Sequence, residues 1–187
     1  MNIDKNEVAR LTTQYGGEWA IAHSRRILSI VEQIGEGLSY DKDAVWLAAH
    51  LHDWGAYEPW SQAGVDHAER SSQVADFFLC DYDISDSLRK TVLDSINYHH
   101  TGGCEFCTET ILLRDADALD FLGVVGTMRD FSKNPRDLKK AYKSVRTRRD
   151  KLPGLLHLDK AKELAKERVQ RMDVLLAMFE EETFGYF

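Results

Sequence analysis

Glu18-Trp19-Ala20-Ile21-Ala22-His23-Ser24-Arg25-Arg26-Ile27-Leu28-Ser29-Ile30-Val31-Glu32-Gln33-Ile34 is the stretch whose pattern decides the fold class. Ile27, Ile30, Val31 and Ile34 fall at i, i+3, i+4 and i+7, the spacing of one face of a 3.6-residue helix. Working outward, the same period predicts helices near 5–14, 18–34, 42–53, 64–80, 85–99, 108–131, 137–149 and 159–182. The last sets Leu158, Ala161, Ala165, Met172, Leu175 and Phe179 on one face with Lys and Glu opposite, as in a helix docked on a bundle. No segment alternates as a half-buried strand does. Gly16-Gly17, Gly55, Gly102-Gly103 and Pro153-Gly154 punctuate the gaps as turn residues. The prediction is an all-α bundle.

A chain of 187 residues can close its own hydrophobic core. With no repeat, linker or low-complexity tract, the expectation is one domain over 1–187, its core at about 18–131 and a basic segment and closing helix at about 132–187. No apolar run is long enough to cross a membrane, and MNIDKNEVAR has no apolar signal core, so a cytoplasmic chain without membrane contact is expected. Three cysteines are too few for a disulfide framework. Cys104 and Cys107 have the spacing of half a zinc site, but no second pair exists, and incidental thiols are the simpler reading.

The net charge of -7 argues against a general nucleic-acid binder. Residues 129–151 nonetheless hold ten basic and three acidic side chains. They read either as a solvated face or as a wall that attracts a polyanionic small molecule.

The histidines lie on apolar stripes. His23 precedes Ile27, Ile30 and Ile34 by 4, 7 and 11 positions; His52 follows Val45 and Ala48 by 7 and 4. His67 precedes Ser71, Val74 and Phe78, His99 follows Val92 and Ile96, and His100 shares a side with Leu93 and Ile96. Any one alone reads as a core histidine. Together, four predicted helices offer inward imidazoles, and Asp53 and Asp117 add carboxylates on buried stripes, Asp117 preceding Phe121 and Val124 by 4 and 7 positions. A buried carboxylate costs several kcal/mol without a partner. With no Lys or Arg on those stripes, a divalent metal is the cheapest one, and mixed imidazole and carboxylate donors suit Mn, Fe, Co, Ni or Zn.

His23, the adjacent His52-Asp53, and Asp117 within Leu113-Arg114-Asp115-Ala116-Asp117-Ala118-Leu119-Asp120 resemble the H…HD…D signature of the HD metal-dependent phosphohydrolases. The segments Asp66-His67-Ala68-Glu69-Arg70-Ser71 and Ile96-Asn97-Tyr98-His99-His100 resemble that family's additional histidine positions. The run from Glu109 to Gly123 and the closing segment 155–182 resemble its small stand-alone YedJ/YpgQ-type branch. The resemblance implies an HD-domain bundle with a metal held in its core by His23, His52, Asp53 and Asp117. It implies that Asp53, His67, His99 and His100 serve catalysis, by contacting phosphate or holding a second ion beside one tightly bound ion. Asp115 and Asp120 are expected to support the ligands rather than to bind metal.

A metal with open positions supplies hydroxide near neutral pH and offsets charge on a phosphoryl group. The function implied is hydrolysis of a phosphoester or phosphoanhydride of a nucleotide, such as pyrophosphate release from a (deoxy)nucleoside triphosphate. Arg129, Lys133, Arg146 and Lys151 are the candidate phosphate binders. Trp54, Tyr57 and Trp60 read first as packing and second as a base-stacking surface. Glu58, the first glutamate after the HD pair, departs from the spacing expected of a general acid. Thr101-Gly102-Gly103-Cys104 lacks a Gly-Tyr-Pro element, which weakens cyclic-dinucleotide hydrolysis. A diiron HD-type oxygenase and a non-catalytic nucleotide-binding module are the alternatives, and the sequence leaves room for a homo-oligomer.

Overall fold

The computed structural model describes residues 3–100 and 107–187, and among these every regular element is helical. The order is α1 (Lys5–Ile34), α2 (Lys42–Leu51), a 3-10 turn (Trp54–Ala56), α3 (His67–Leu79), α4 (Asp86–Asn97), α5 (Thr108–Asp120), α6 (Gly123–Lys133), α7 (Leu138–Lys151), a second 3-10 turn (Leu152–Leu155) and α8 (Asp159–Thr183). The all-α expectation holds. Cys104 and the Thr101-Gly102-Gly103 segment lie outside the described residues; Cys80 and Cys107 are free thiols. No helix is long and apolar enough to cross a membrane among the described residues. The chain divides into two compact units, Met1–Arg114 and Asp115–Phe187.

In the first unit α2 is the central element. Asp41 caps it by accepting from the amides of Asp43 and Ala44, and Ala44, Val45, Leu47, Ala48, Ala49 and Leu51 are all buried. It packs against α1 and α4, and α3 packs against α4 and the 3-10 turn. Ile27, Ile30, Val31 and Ile34 are buried on α1, as their spacing requires. The break expected at Gly16-Gly17 is present as a sharp kink that joins two helices within α1. Gly17 leaves the helical conformation there at φ 67°, ψ -166°, which only glycine adopts without strain. Glu109 on the first turn of α5 accepts from the amide of Asp41 at 2.7 Å.

The second unit contains α6, α7 and α8. Here the expected helix 108–131 is two helices, parted at Phe121-Leu122. Gly123 restarts the chain at φ 82°, and a side chain at Gly126 would run into the carbonyl of Phe121. The break shifts the helical phase, so Val124, predicted on the stripe of Asp117, is exposed. On α8 the buried residues are Ala161, Ala165, Met172 and Leu176; Leu175, one position off, is half-buried. Asp115 is fully buried and accepts from the amides of His157 (3.0 Å) and Leu158 (2.8 Å), which seats the entry to α8.

Candidate metal centre

The first unit gathers the imidazoles from four places in the chain. His23 sits on the buried stripe of α1, and its ring lies 5.3 Å from that of His52. His52 caps the C-terminus of α2, its amide still bonded to the carbonyl of Ala48. Its Nδ1 stands 3.1 Å from the carbonyl of Ala49. A carbonyl only accepts, so Nδ1 carries a proton, and in the neutral ring Nε2 is then the nitrogen with the lone pair. The same logic applies to His99, whose Nδ1 lies 2.7 Å from the carbonyl of Ile96 at the end of α4. Both rings are buried.

Asp53 follows His52 with φ -106° and ψ 1°, out of the helix, and the 3-10 turn carries the chain against α3. Gly55 makes that approach feasible. Its amide donates to Ser71 Oγ at 2.9 Å, and a Cβ there would collide with the backbone of Arg70 and Ser71. Because His67 begins the same helix that carries Ser71, this seat brings Asp53 to His67. Asp53 Oδ2 lies 3.4 Å from His52 Nε2 and 3.8 Å from His23 Nε2, while Oδ1 lies 3.8 Å from His67 Nε2. One carboxylate therefore spans two clusters of potential ligands, His23/His52/Asp53 and His67/His99/His100, whose donor atoms within each cluster lie within 4.8 Å of one another.

His67 and His100 are less buried than their stripes predict: His67 is the first residue of α3, and His100 lies beyond the end of α4. Their rings stack at 4.5 Å with planes 10° apart. His67 is held below its usual pKa, chiefly by burial and then by the neighbouring His99, against the opposing pull of Asp53. A neutral ring near neutral pH is the form that ligates metal. His100 Nε2 donates to Asp66 at 3.0 Å, and the same carboxylate oxygen accepts from the amide of Ala68 as the N-cap of α3. These bonds outweigh the effect of burial and keep the Asp66 carboxyl below its usual range.

Three imidazoles, those of His23, His52 and His67, stand within 4 Å of the Asp53 carboxylate. This mixed set of imidazole and carboxylate donors fits a divalent transition metal.

The other anticipated residues are placed as follows. Asp117 lies half-buried on α5, in the second unit. Arg129 is buried, paired with Asp120, and 4.3 Å above the ring of Phe121. Arg148 packs on the same ring at 4.1 Å and pairs with Asp130 at 2.7 Å, and Lys133 approaches the ring at 5.5 Å. Arg146 and Lys151 are exposed on α7. Trp54 is core, donating to Thr12 Oγ1 at 3.0 Å and packed edge-on against Tyr15 and Phe78, which removes it as a base-stacking surface. Glu58 is exposed and accepts from Ser61 Oγ at 3.0 Å. The residues that sequence reasoning passed over are Asp66, Ser71 and the carbonyls of Ala49 and Ile96. Asp66 had a signal: Asp66-His67-Ala68-Glu69 has an N-cap residue with Glu three positions on.

A family model described as HD domain matches residues 20–122. The chain belongs to the HD-domain family. This HD domain also resembles solved structures along its whole length. The crystal structure of a predicted HD superfamily hydrolase from an uncultured Thermotogales bacterium is 23% identical, with a TM-score of 0.68, covering 95% of this chain and 90% of that one. An HD-superfamily hydrolase from Bacillus thuringiensis is 20% identical at a TM-score of 0.73, covering 95% of each chain. Bacillus subtilis YpgQ, crystallised in complex with ADP, is 23% identical at a TM-score of 0.72, covering 96% of this chain and 97% of that one. At such identities the likeness speaks for the fold. No curated protein matches this chain.

Proposed function

We propose that this HD domain is a metal-dependent phosphohydrolase that cleaves a phosphoester or phosphoanhydride of a nucleotide. The observation that carries the proposal is the position of Asp53, whose two oxygens face separate groups of imidazoles. His23, His52 and Asp53 would hold the first ion, with Asp117 carried forward as the fourth ligand from the family's H…HD…D order. A bound Mn, Fe, Co, Ni or Zn would supply an activated water and offset charge on the phosphoryl oxygens.

The chain's own groups set the rest. Ala49 and Ile96 fix the tautomers of His52 and His99 so that both Nε2 atoms remain basic. His67 and His100, at the open edge of the cluster, are placed to meet a phosphate or a second ion. Arg146 and Lys151 are the exposed cations of the anticipated phosphate wall, and Arg129 and Lys133 are carried with them at the Phe121 cluster. A nucleotide substrate agrees with ADP in the YpgQ crystal, a protein of the same fold.

The test is release of phosphate or pyrophosphate from a nucleotide panel, using metal-stripped protein reloaded with Mn, Co, Ni or Mg. The blank is the His52→Ala/Asp53→Ala variant. Turnover in the reloaded protein and none in the blank is the expected result; equal turnover in both sinks the proposal. Dioxygen consumption by iron-loaded protein would instead favour the diiron oxygenase.

A further inference from the structure

In the second unit α6 and α8 run side by side in the same direction. Gly123 abuts Arg168 at one end, and Phe131 packs edge-on against Phe179, 5.1 Å away, near the other. While Ala161, Ala165, Met172 and Leu176 are buried, α8 turns Val174 and Met178 outward, 61% and 53% exposed. Val124 and Met128, one turn apart on α6, are exposed to a similar degree. Val124 lines one open groove with Glu167, Gln170, Arg171, Val174 and Leu175. Val124, Val174 and Leu175 share this groove with charged neighbours, and contiguous exposed apolar surface rimmed by polar residues is the kind that marks an interaction site.

The charges that flank the strip say what covers it. Arg171 and Glu182 are both exposed and stand eleven positions, or about three helical turns, apart, so they share one flank of the Val174/Met178 ridge. Their midpoint falls between Leu176 and Ala177, within one residue of Leu176, the midpoint of Val174 and Met178. A two-fold axis crossing α8 there sets two copies antiparallel. Val174 then meets Met178 of the partner subunit, and Arg171 meets Glu182 of the partner subunit, each contact occurring twice. The face is complementary to itself in both shape period and charge, which is the requirement of an isologous contact. The pair that Arg171 makes within its own chain, 3.1 Å to Glu167, is exposed on both sides and does not compete, since a guanidinium has five donors to share.

We infer that the α6/α8 face is the contact between two copies of this chain in a homodimer. Sedimentation velocity or light scattering on the full chain reads it. The expected mass is about twice 21.4 kDa, falling to that of one chain in Val174→Glu, in Arg171→Glu and in Glu182→Arg. Because all three side chains are exposed, far-ultraviolet circular dichroism should match the wild type. The combination Arg171→Glu/Glu182→Arg exchanges the charges and should restore the dimer. A wild type that is monomeric throughout, a dimer that survives Val174→Glu, or a double variant that stays monomeric would each overturn the assignment. A monomer that captures a different protein through the strip counts with the overturning results.

Discussion

Asp53 Oδ2 stands 3.4 Å from Nε2 of His52, while the other nitrogen of that ring is bonded to the carbonyl of Ala49. The two residues are adjacent in sequence, yet one closes α2 and the other opens the 3-10 turn. The change of backbone direction between them points both side chains at one place.

Substituting Asp53→Asn keeps the shape and removes the charge that balances a cation. Loss of a mere supporting partner costs about 10–100-fold in metal affinity, so loss of this carboxylate should cost at least that, with hydrolysis lost in parallel. Metal content by mass spectrometry, read against phosphate release, checks both.

Metal bound only by the native state stabilises it. At about 100 times Kd the gain is about 2.7 kcal/mol, or a rise in Tm of roughly 5–10 °C for a chain of this size. Thermal unfolding with Mn and with chelator should show that rise in the wild type and little of it in His23→Ala or Asp53→Asn. A wild type indifferent to every transition metal would count against the centre.

Gly55→Ala places a methyl against the backbone of Ser71. The 3-10 turn must move off α3, at an overpacking cost of about 1–3 kcal/mol. Asp53 then parts from His67, so urea unfolding should show the loss of stability and metal titration a weaker site. Ser71→Ala, which removes only the hydroxyl, should cost less.

Asp115→Ala removes the acceptor for the amides of His157 and Leu158. Leaving buried donors without their acceptor costs about 1–3 kcal/mol. Chemical denaturation should report that loss, and limited proteolysis should cut earlier near 152–158.

His50 is buried, stacked on Trp46 at 3.9 Å, and its Nδ1 donates to the carbonyl of Trp46. Burial holds its pKa below the ordinary 6.5, with Arg25 and Lys5 adding to the effect and the bond to Trp46 opposing it. The unfolded chain therefore takes up a proton near 6.5 that the folded chain refuses. Stability should be full above that pH and fall as the pH drops toward the folded value, by at most about 1.4 kcal/mol per pH unit from this group. His50→Phe, which keeps a ring against Trp46, should flatten that part of the pH profile in urea titrations.

Much of the molecule was legible in one dimension. The i, i+3, i+4, i+7 spacing of Ile27 to Ile34 specifies a helix and its buried face, because side-chain direction follows from 3.6 residues per turn. That same geometry placed His23, His52 and His99 inward before any contact was known. Periodicity carries no information across a break, however. Gly123 and Gly126 end one helix and begin another within three residues, so the face assigned to Val124 came out reversed. Nor does period tell which distant elements meet. That Asp53 reaches His67 depends on Gly55 lying flush against Ser71, and that His52 and His99 offer Nε2 depends on two backbone carbonyls. Such relations arise where elements far apart in the chain pack, and residue type alone does not encode them. The sequence by itself determined the helical class and which imidazoles lie on buried faces; the tertiary structure decided which atoms face one another, because a tautomer and a carboxylate's bearing are set by neighbours in space.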